Sequence, residues 1–337
     1  MIKMKHIFKV VVPALLTLTL FGLTGCGSGP TPSGSNGGAG NKPTLTKLTV
    51  GYPSGTMSKS LFLQTGIDTG IFTKYGLEVQ PKAYTVGGQV VEDLAGNNLD
   101  FGMAGPSASL DGAAKGADLK IIASAMQNDC PLVARQEITS VKELNGKKVG
   151  TPGVSSIQET MLDYLESQQG IKTIHVYANA ANLVQLLQKG EIDAIVAWEP
   201  LGAQAVAKVG AHYLLNTIIP GAEAEDFTVT GKLFRENPNT VVQFLKAAEA
   251  IKQYLNTHLT EREQVAAGST GLPESVIAQA VQSSHNFITP MQLNVNSIKL
   301  SAMQDIASGK LTGVKQSGLD AFLAKNIDTT LLQKALQ

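Results

Sequence analysis

Aromatic side chains are scarce in this sequence, at 5% of 337 residues, and there is one tryptophan, Trp198. An excess of either charge is also missing. Lys and Arg together number 27, Asp and Glu together number 27, and neither sign forms a long run. That balance excludes nucleic acid as a main partner, since binding phosphates demands a concentrated basic face. His175, His212, His258 and His285 are scattered without ligand spacing, so no metal site is expected. No G-x-S-x-G, H-E-x-x-H or G-x-x-x-x-G-K-S/T pattern occurs. Without a nucleophile elbow, a zinc helix or a phosphate loop, catalysis has little support and no cofactor is implied.

What is there begins at the N-terminus. Lys3, Lys5 and Lys9 precede an apolar run from Val10 to Leu23, too short for a comfortable membrane span. The run ends in Leu23-Thr24-Gly25-Cys26, small residues before a Cys, and resembles the lipobox of bacterial lipoproteins. The resemblance implies that residues 1–25 are a signal peptide cleaved ahead of Cys26, whose sulfur then carries diacylglycerol. Residues 26–43 hold that Cys and a Gly-, Ser-, Pro- and Asn-rich segment that cannot form a core, a flexible tether. As a coil it would span on the order of 20–25 Å, enough to hold a domain off a membrane surface. After processing, Cys130 is the one unmodified thiol, so no intramolecular disulfide can form and the core must hold the fold.

The remaining chain is organised around a stretch that occurs twice. Lys147 to Glu159, KKVGTPGVSSIQE, runs from a strand through a turn forced by Gly150, Pro152 and Gly153. Ser155 or Ser156 then starts a helix. Ser156 and Glu159 have the S-x-x-E spacing of a capping box, in which side chain and backbone satisfy each other's donors. Such a turn leaves backbone N–H groups at the positive end of a helix dipole, which suits an anion. The bland alternative is an ordinary strand-to-helix connection.

The earlier copy is Leu48 to Ser60, LTVGYPSGTMSKS. Downstream the parallel continues: Asp100 answers to Asp193, Pro106 to Pro200, and Gly116 to Gly210. Each unit reads β-α-β-α-β, with a short strand running from its Asp into a Pro-bearing loop. Two such units suggest two lobes with a cleft between them, and the turns fall at the strand ends where α/β sheets bind ligands. Asn128 to Pro131 reads as the first crossing between lobes, and Ile218 to Thr230 as the return, with a strand-like Phe227 to Val229. Beyond Pro238 the chain turns helical. Val241, Phe244, Leu245, Ala248, Ile251 and Leu255 recur at helical spacing, and Pro273 fits the first turn of another helix. Amphipathic helices follow near 296–307 and 329–336, and the tail most simply packs on the first lobe.

In order along the chain, VGYPSG (Val50–Gly55), GIDTGIFTKYGLEV (Gly66–Val79), NLDFGMAGPSA (Asn98–Ala108), VKELNGKKVGTPGVSS (Val141–Ser156), EIDAIVAWEP (Glu191–Pro200) and FRENPNTVVQFLKA (Phe234–Ala247) resemble one family. It is that of the substrate-binding proteins of ABC importers for sulfonates, taurine, nitrate and thiamine-precursor pyrimidines (SsuA/NMT1-like). The resemblance implies an α/β, two-lobed type II periplasmic-binding-protein-like fold with a helical C-terminal tail. Residues 44–130 would begin lobe 1, 131–219 would form lobe 2, and 220–337 would hold the return crossing and the helical part of lobe 1.

Matched to the family, the ligand-binding positions are Ser54, Gly55, Thr56, Gly105, Pro106, Ser107, Gln127 and Asn128, then Thr151, Gly153, Ser155, Ser156, Trp198 and Glu199. Hydroxyls and backbone N–H groups suit oxyanions, and one large aromatic can cover an apolar moiety. The serines could equally cap helices, Trp198 could fill core, and Glu199 fits a hinge tie better than a ligand contact. Asp100 and Asp193 fit structural caps. The function implied is capture of a small solute, a sulfonate or similar small anion, for delivery to an ABC importer permease, without catalysis. Membrane attachment would be through lipidated Cys26 on the extracytoplasmic face, with the protein a monomer. A thiamine-precursor pyrimidine or other heterocycle is the alternative ligand and would favour a carboxylate and several aromatics in the cleft. An enzyme on the same scaffold is the alternative class.

Overall fold

The computed structural model describes residues 44–283 and 290–337. The signal segment, Cys26 and the tether lie outside the described residues. Among the described residues, ten strands form two five-stranded sheets. In chain order they are β1 (Thr46–Pro53), β2 (Leu77–Tyr84), β3 (Phe101–Ala104), β4 (Leu119–Gln127), β5 (Leu132–Ala134), β6 (Lys148–Thr151), β7 (Ile174–Tyr177), β8 (Ala194–Val196), β9 (His212–Leu215) and β10 (Glu223–Thr230).

The first sheet has the order β2-β1-β3-β10-β4 and the second β7-β6-β8-β5-β9. The two orders are the same once β1, β2, β3 and β4 are matched to β6, β7, β8 and β9. In each, the three strands of the β-α-β-α-β unit are parallel, and the fourth position is taken by an antiparallel strand that adjoins a chain crossing. β5 arrives by the first crossing and β10 by the second, so each sheet is completed by the strand that enters it directly from the other lobe.

The repeat extends to the backbone's tightest points. Gly51 pairs with Gly102 and Gly150 with Ile195. A Cβ on Gly51 would lie 2.5 Å from Leu99 and 3.1 Å from Val90; one on Gly150 would lie 2.7 Å from Leu183 and 2.8 Å from Ile192. The helices after β2 and β7 therefore press on the same glycine in each unit, which no larger residue allows without overpacking.

Both faces of each sheet are covered. In the second, Leu132, Ala134, Ala194 and Val196 face Leu162 and Leu165, while Val133, Ile195 and Ala197 face Leu183, Leu187 and Leu201. This is the period-two alternation of strands buried on both sides. In the first lobe, Phe62, Phe72, Phe101, Phe227 and Phe244 form one aromatic cluster, with Phe101 and Phe244 stacked at 4.0 Å. Half of the chain's ten phenylalanines are spent there.

Helix Pro238–Thr257 buries Val241, Phe244, Leu245, Ala248, Ile251 and Leu255, as its spacing predicts, and does so in the first lobe's core. Helices Glu274–Ser283, Val295–Ala307 and Thr330–Ala335 follow. Pro273 stands just ahead of the first of these, accepting from Val276 and Ile277 through its carbonyl. The return crossing is shorter than the sequence suggests. β10 occupies Glu223–Thr230 and every residue in it is buried, including Glu223, Glu225 and Asp226. The strand-like Phe227 to Val229 thus extends back through three acids in four positions, because β3 and β4 pair with it on both sides.

Candidate ligand-binding site

The C-terminal ends of β1, β3, β6 and β8 face one another across the cleft. A narrow cavity of about 30 Å³ lies between the lobes, lined by Pro53, Thr56, Gly105, Ser155, Ser156 and Trp198, and also by Asp129 and Glu225. Room for about one water remains at that size, so the lobes stand closed on each other. Trp198 makes the direct closure, its Nε1 donating to the Gly55 carbonyl at 3.1 Å. Beyond that contact lies an outer chamber of about 270 Å³, lined by Ser54, Gly55, Thr56, Pro200 and Gln204 with Ser269, Thr270 and Leu272 of the tail. On the opposite side, Ser155 and Ala108 are shared with a chamber of about 400 Å³ that Ser107, Asp305 and Lys310 also line.

Of the positions matched from sequence, Thr56, Gly105, Ser155, Ser156 and Trp198 meet at the inner cavity, and Ser54, Gly55 and Ser107 lie in the chambers beside it. Pro106 is buried at the first turn of helix Pro106–Ala114. Gln127 donates to Glu223 at 2.8 Å, and Asn128 Oδ1 accepts from the Gly221 backbone at 2.5 Å, so these two join the chain crossings to each other. Thr151 is fully buried and donates to Glu159 at 2.7 Å. The Gly153 carbonyl accepts from the Ser156 hydroxyl at 2.7 Å. Glu199 is fully buried, accepting from Tyr213 Oη at 2.6 Å, Ser283 Oγ at 2.5 Å and the Ala203 amide at 3.0 Å. Its place is a tie between lobes, as its strand-end position suggests.

The two serines of the turn divide their work. Ser156 is the helix cap, accepting from the Glu159 amide at 3.2 Å and donating to Gly153 at 2.7 Å. Ser155 is exposed at the cavity, and no other described side chain engages its hydroxyl. The capping box is only half formed. The Glu159 side chain turns away from Ser156 into a buried cluster, where it accepts from His175 Nδ1 at 2.6 Å, Thr151 and Tyr177 Oη at 2.9 Å, with Lys310 at 3.5 Å. Burial works against that carboxylate's charge, but the bonds from His175 and Thr151 and the Lys310 ammonium outweigh it and hold its pKa at about 2. The bond to Glu159, aided by Glu166, pushes His175 up to about 9 against its burial. Glu159, Asp163 and His175 lie close enough together to hold a metal ion. Here a doubly donating imidazolium and the Lys310 ammonium already supply the positive charge.

Asp129 and Glu225 are the residues that sequence reasoning missed. Asp129 Oδ1 accepts from the Glu199 amide at 2.7 Å, and burial, then the nearby Glu199 charge, push its pKa well up. Their signal was faint: one acid in a polar crossing, and one in a strand disguised by its neighbours.

Two similar α/β lobes, two chain crossings and a cleft at the strand ends define the two-lobed periplasmic-binding-protein fold. The chain belongs to the NMT1/THI5-like family, whose model matches residues 59–261. It is 25% identical over 332 residues to a Bacillus subtilis (strain 168) protein named "Putative aliphatic sulfonates-binding protein", covering 96% of each chain. To the taurine-binding periplasmic protein of Escherichia coli (strain K12) it is 26% identical over 231 residues, covering 64% of this chain and 71% of that one. Among solved structures, the nitrate-binding protein NrtA of Synechocystis PCC 6803 superposes with a TM-score of 0.73 at 15% identity, over 88% of this chain and 90% of that one. The alkanesulfonate-binding protein SsuA of Xanthomonas axonopodis pv. citri, bound to MOPS, gives 0.69 at 18%, over 84% and 98%. At such identities the structures speak for the fold.

Proposed function

We propose that this chain is the extracytoplasmic solute-binding protein of an ABC importer, anchored through Cys26, that captures a small acid which also carries an amino group. The names of its relatives support solute capture and a sulfonate or similar anion. The observation that narrows the ligand is the presence of Asp129 and Glu225 in the same cavity as Ser155, Ser156 and Trp198. A purely anionic solute would meet two buried acids and push the pKa of Asp129 up further, whereas an ammonium facing them favours their charged forms and leaves its acid group to the hydroxyl-bearing helix start. An ω-amino sulfonate has that form. Opening of the lobes admits it and closure buries it, so ligand favours the closed state because only that state contacts it from both sides. The protein acts on it as a monomeric carrier for a permease and performs no chemistry.

The same carboxylates with Trp198 favour an aminopyrimidine as second reading, although the remaining aromatics lie in the first lobe's core. A thermal-shift screen decides among taurine-type amino sulfonates, unsubstituted alkanesulfonates, nitrate and aminopyrimidines. A ligand at one hundred times its Kd adds roughly 2.7 kcal/mol. Amino sulfonates should shift the melt, and Asp129→Asn should abolish the shift. An equal shift by unsubstituted alkanesulfonates or nitrate overturns the assignment of the carboxylates.

A further inference from the structure

The C-terminal segment reaches beyond its own lobe. Helix Val295–Ala307 and the turn after it pack through Ile298, Ala302 and Leu311 against Leu110 and against Ile121 of β4, on the first sheet. From this base two side chains extend to helix Ile157–Gln169, whose Leu162 and Leu165 are packed on the second sheet. Asp305 Oδ1 accepts from Thr160 Oγ1 at 2.6 Å, and Thr160 shares a further hydrogen bond of 2.9 Å with Ser107. Lys310 Nζ donates to Asp163 Oδ2 at 2.5 Å and lies 3.5 Å from Glu159 Oε1. Glu159 and Asp163 are four residues apart and share a helix face, with Thr160 beside them.

These are not surface ion pairs. The Lys310 and Asp163 side chains are 15% and 13% exposed, and Glu159 is 1% exposed. In such a setting salt screens the attraction little, and the pair has value only while both partners are held together. Separating the lobes would break it. Neither chain crossing takes part, and the contact is separate from those of Trp198 with Gly55 and Glu199 with Ser283, so this is a further connection between lobes, made by side chains alone. Glu159 also braces the helix that starts at Ser156, which joins the connection to the cleft.

We propose that Lys310, with Asp305, is a latch by which the C-terminal segment of the first lobe holds the second lobe closed. It requires the two-lobed fold but no particular ligand, so its test is made without one. Nitroxide labels on Gln80→Cys and Lys189→Cys, exposed positions on opposite lobes, report interlobe distance by pulsed electron paramagnetic resonance. The full chain carries Cys26→Ser, and Cys130 is buried, so only the two introduced thiols react. Lys310→Met and Asp163→Asn should each shift the distance distribution to a longer population, by the same amount. The double variant should open no further than either single, and Lys310→Arg should keep the wild-type distribution. An unchanged distance in Lys310→Met overturns the latch, even if its urea midpoint falls, because a merely structural role moves stability alone. A double variant more open than both singles overturns it as well. Neither outcome depends on which solute binds.

Discussion

Asp100 and Asp193 make the same contact in the two lobes. Asp100 Oδ2 accepts from the Thr49 amide at 2.7 Å and Asp193 Oδ2 from the Lys148 amide at 2.8 Å, and each aspartate returns its own amide to that residue's carbonyl. The residue bonded is in each case the one before the first pairing with the next strand, Val50 with Phe101 and Val149 with Ala194. Each carboxylate thus fixes the register of the two parallel strands that lead to the cleft.

Removing either should therefore cost stability and leave ligand affinity almost untouched. Asp100→Ala and Asp193→Ala are each expected to lose about 1.5–3 kcal/mol by urea denaturation, the range for a hydrogen bond to a charged group. The two losses should add, since the sites lie in different lobes. A large loss of affinity with unchanged stability would show that the aspartates serve the ligand.

Glu199 should behave as a structural tie across the lobes. Glu199→Ala leaves Tyr213 and Ser283 without the acceptor that now joins them, at a cost of about 2–4 kcal/mol, while Glu199→Gln retains the shape and loses less. Differential scanning calorimetry would read the order of the three proteins. If Glu199→Ala melts with wild type, the tie has no energetic value.

Ser155 and Ser156 separate binding from capping. Ser156→Ala should lose about 1 kcal/mol of stability with affinity nearly intact, as expected of a helix cap. Ser155→Ala should keep its stability and weaken binding of the best ligand from the screen by about 1.5–3 kcal/mol in titration calorimetry, if the hydroxyl donates to a charged group. The reverse pattern would move the site off this turn.

His175 and Glu159 set a pH dependence with opposite limbs. The folded-state pKa of His175 lies at about 9, above its ordinary value, so its contribution is full below about pH 6.5 and is lost as pH rises through 9. Glu159, held at about 2, contributes above its ordinary range near 4.5 and loses that contribution as pH falls toward 2. Between pH 7 and 10 the wild type should lose on the order of 1–2 kcal/mol more than His175→Gln does, allowing for the ring's partial exposure. Parallel pH profiles of urea midpoint for the two proteins would remove His175 from this role.

Much of the architecture was legible because it was written twice. The paired stretches at Leu48–Ser60 and Lys147–Glu159, with Asp100 and Asp193 at matching places, gave two lobes, their strands and the turns that face the cleft. The spacing from Val241 to Leu255 gave the long helix. Hydrophobic period and turn chemistry are local, and a sequence displays them directly.

What tertiary structure alone decided were the partners of polar groups. β10 shows only Phe227 to Val229 as strand-like, and its acidic first half joins the strand because β3 and β4 pair with it on either side. Glu159 has the spacing to reach back to Ser156, yet His175, Thr151, Tyr177 and Lys310 draw it away, from segments up to 151 residues distant in sequence. Asp129 and Glu225 meet in one cavity only because two crossings return the chain to the same place. A side chain's apolar face is fixed by its neighbours along the chain, but the cost of burying a charge depends on every group the fold brings within a few ångströms, and that is settled only once the lobes are built and closed.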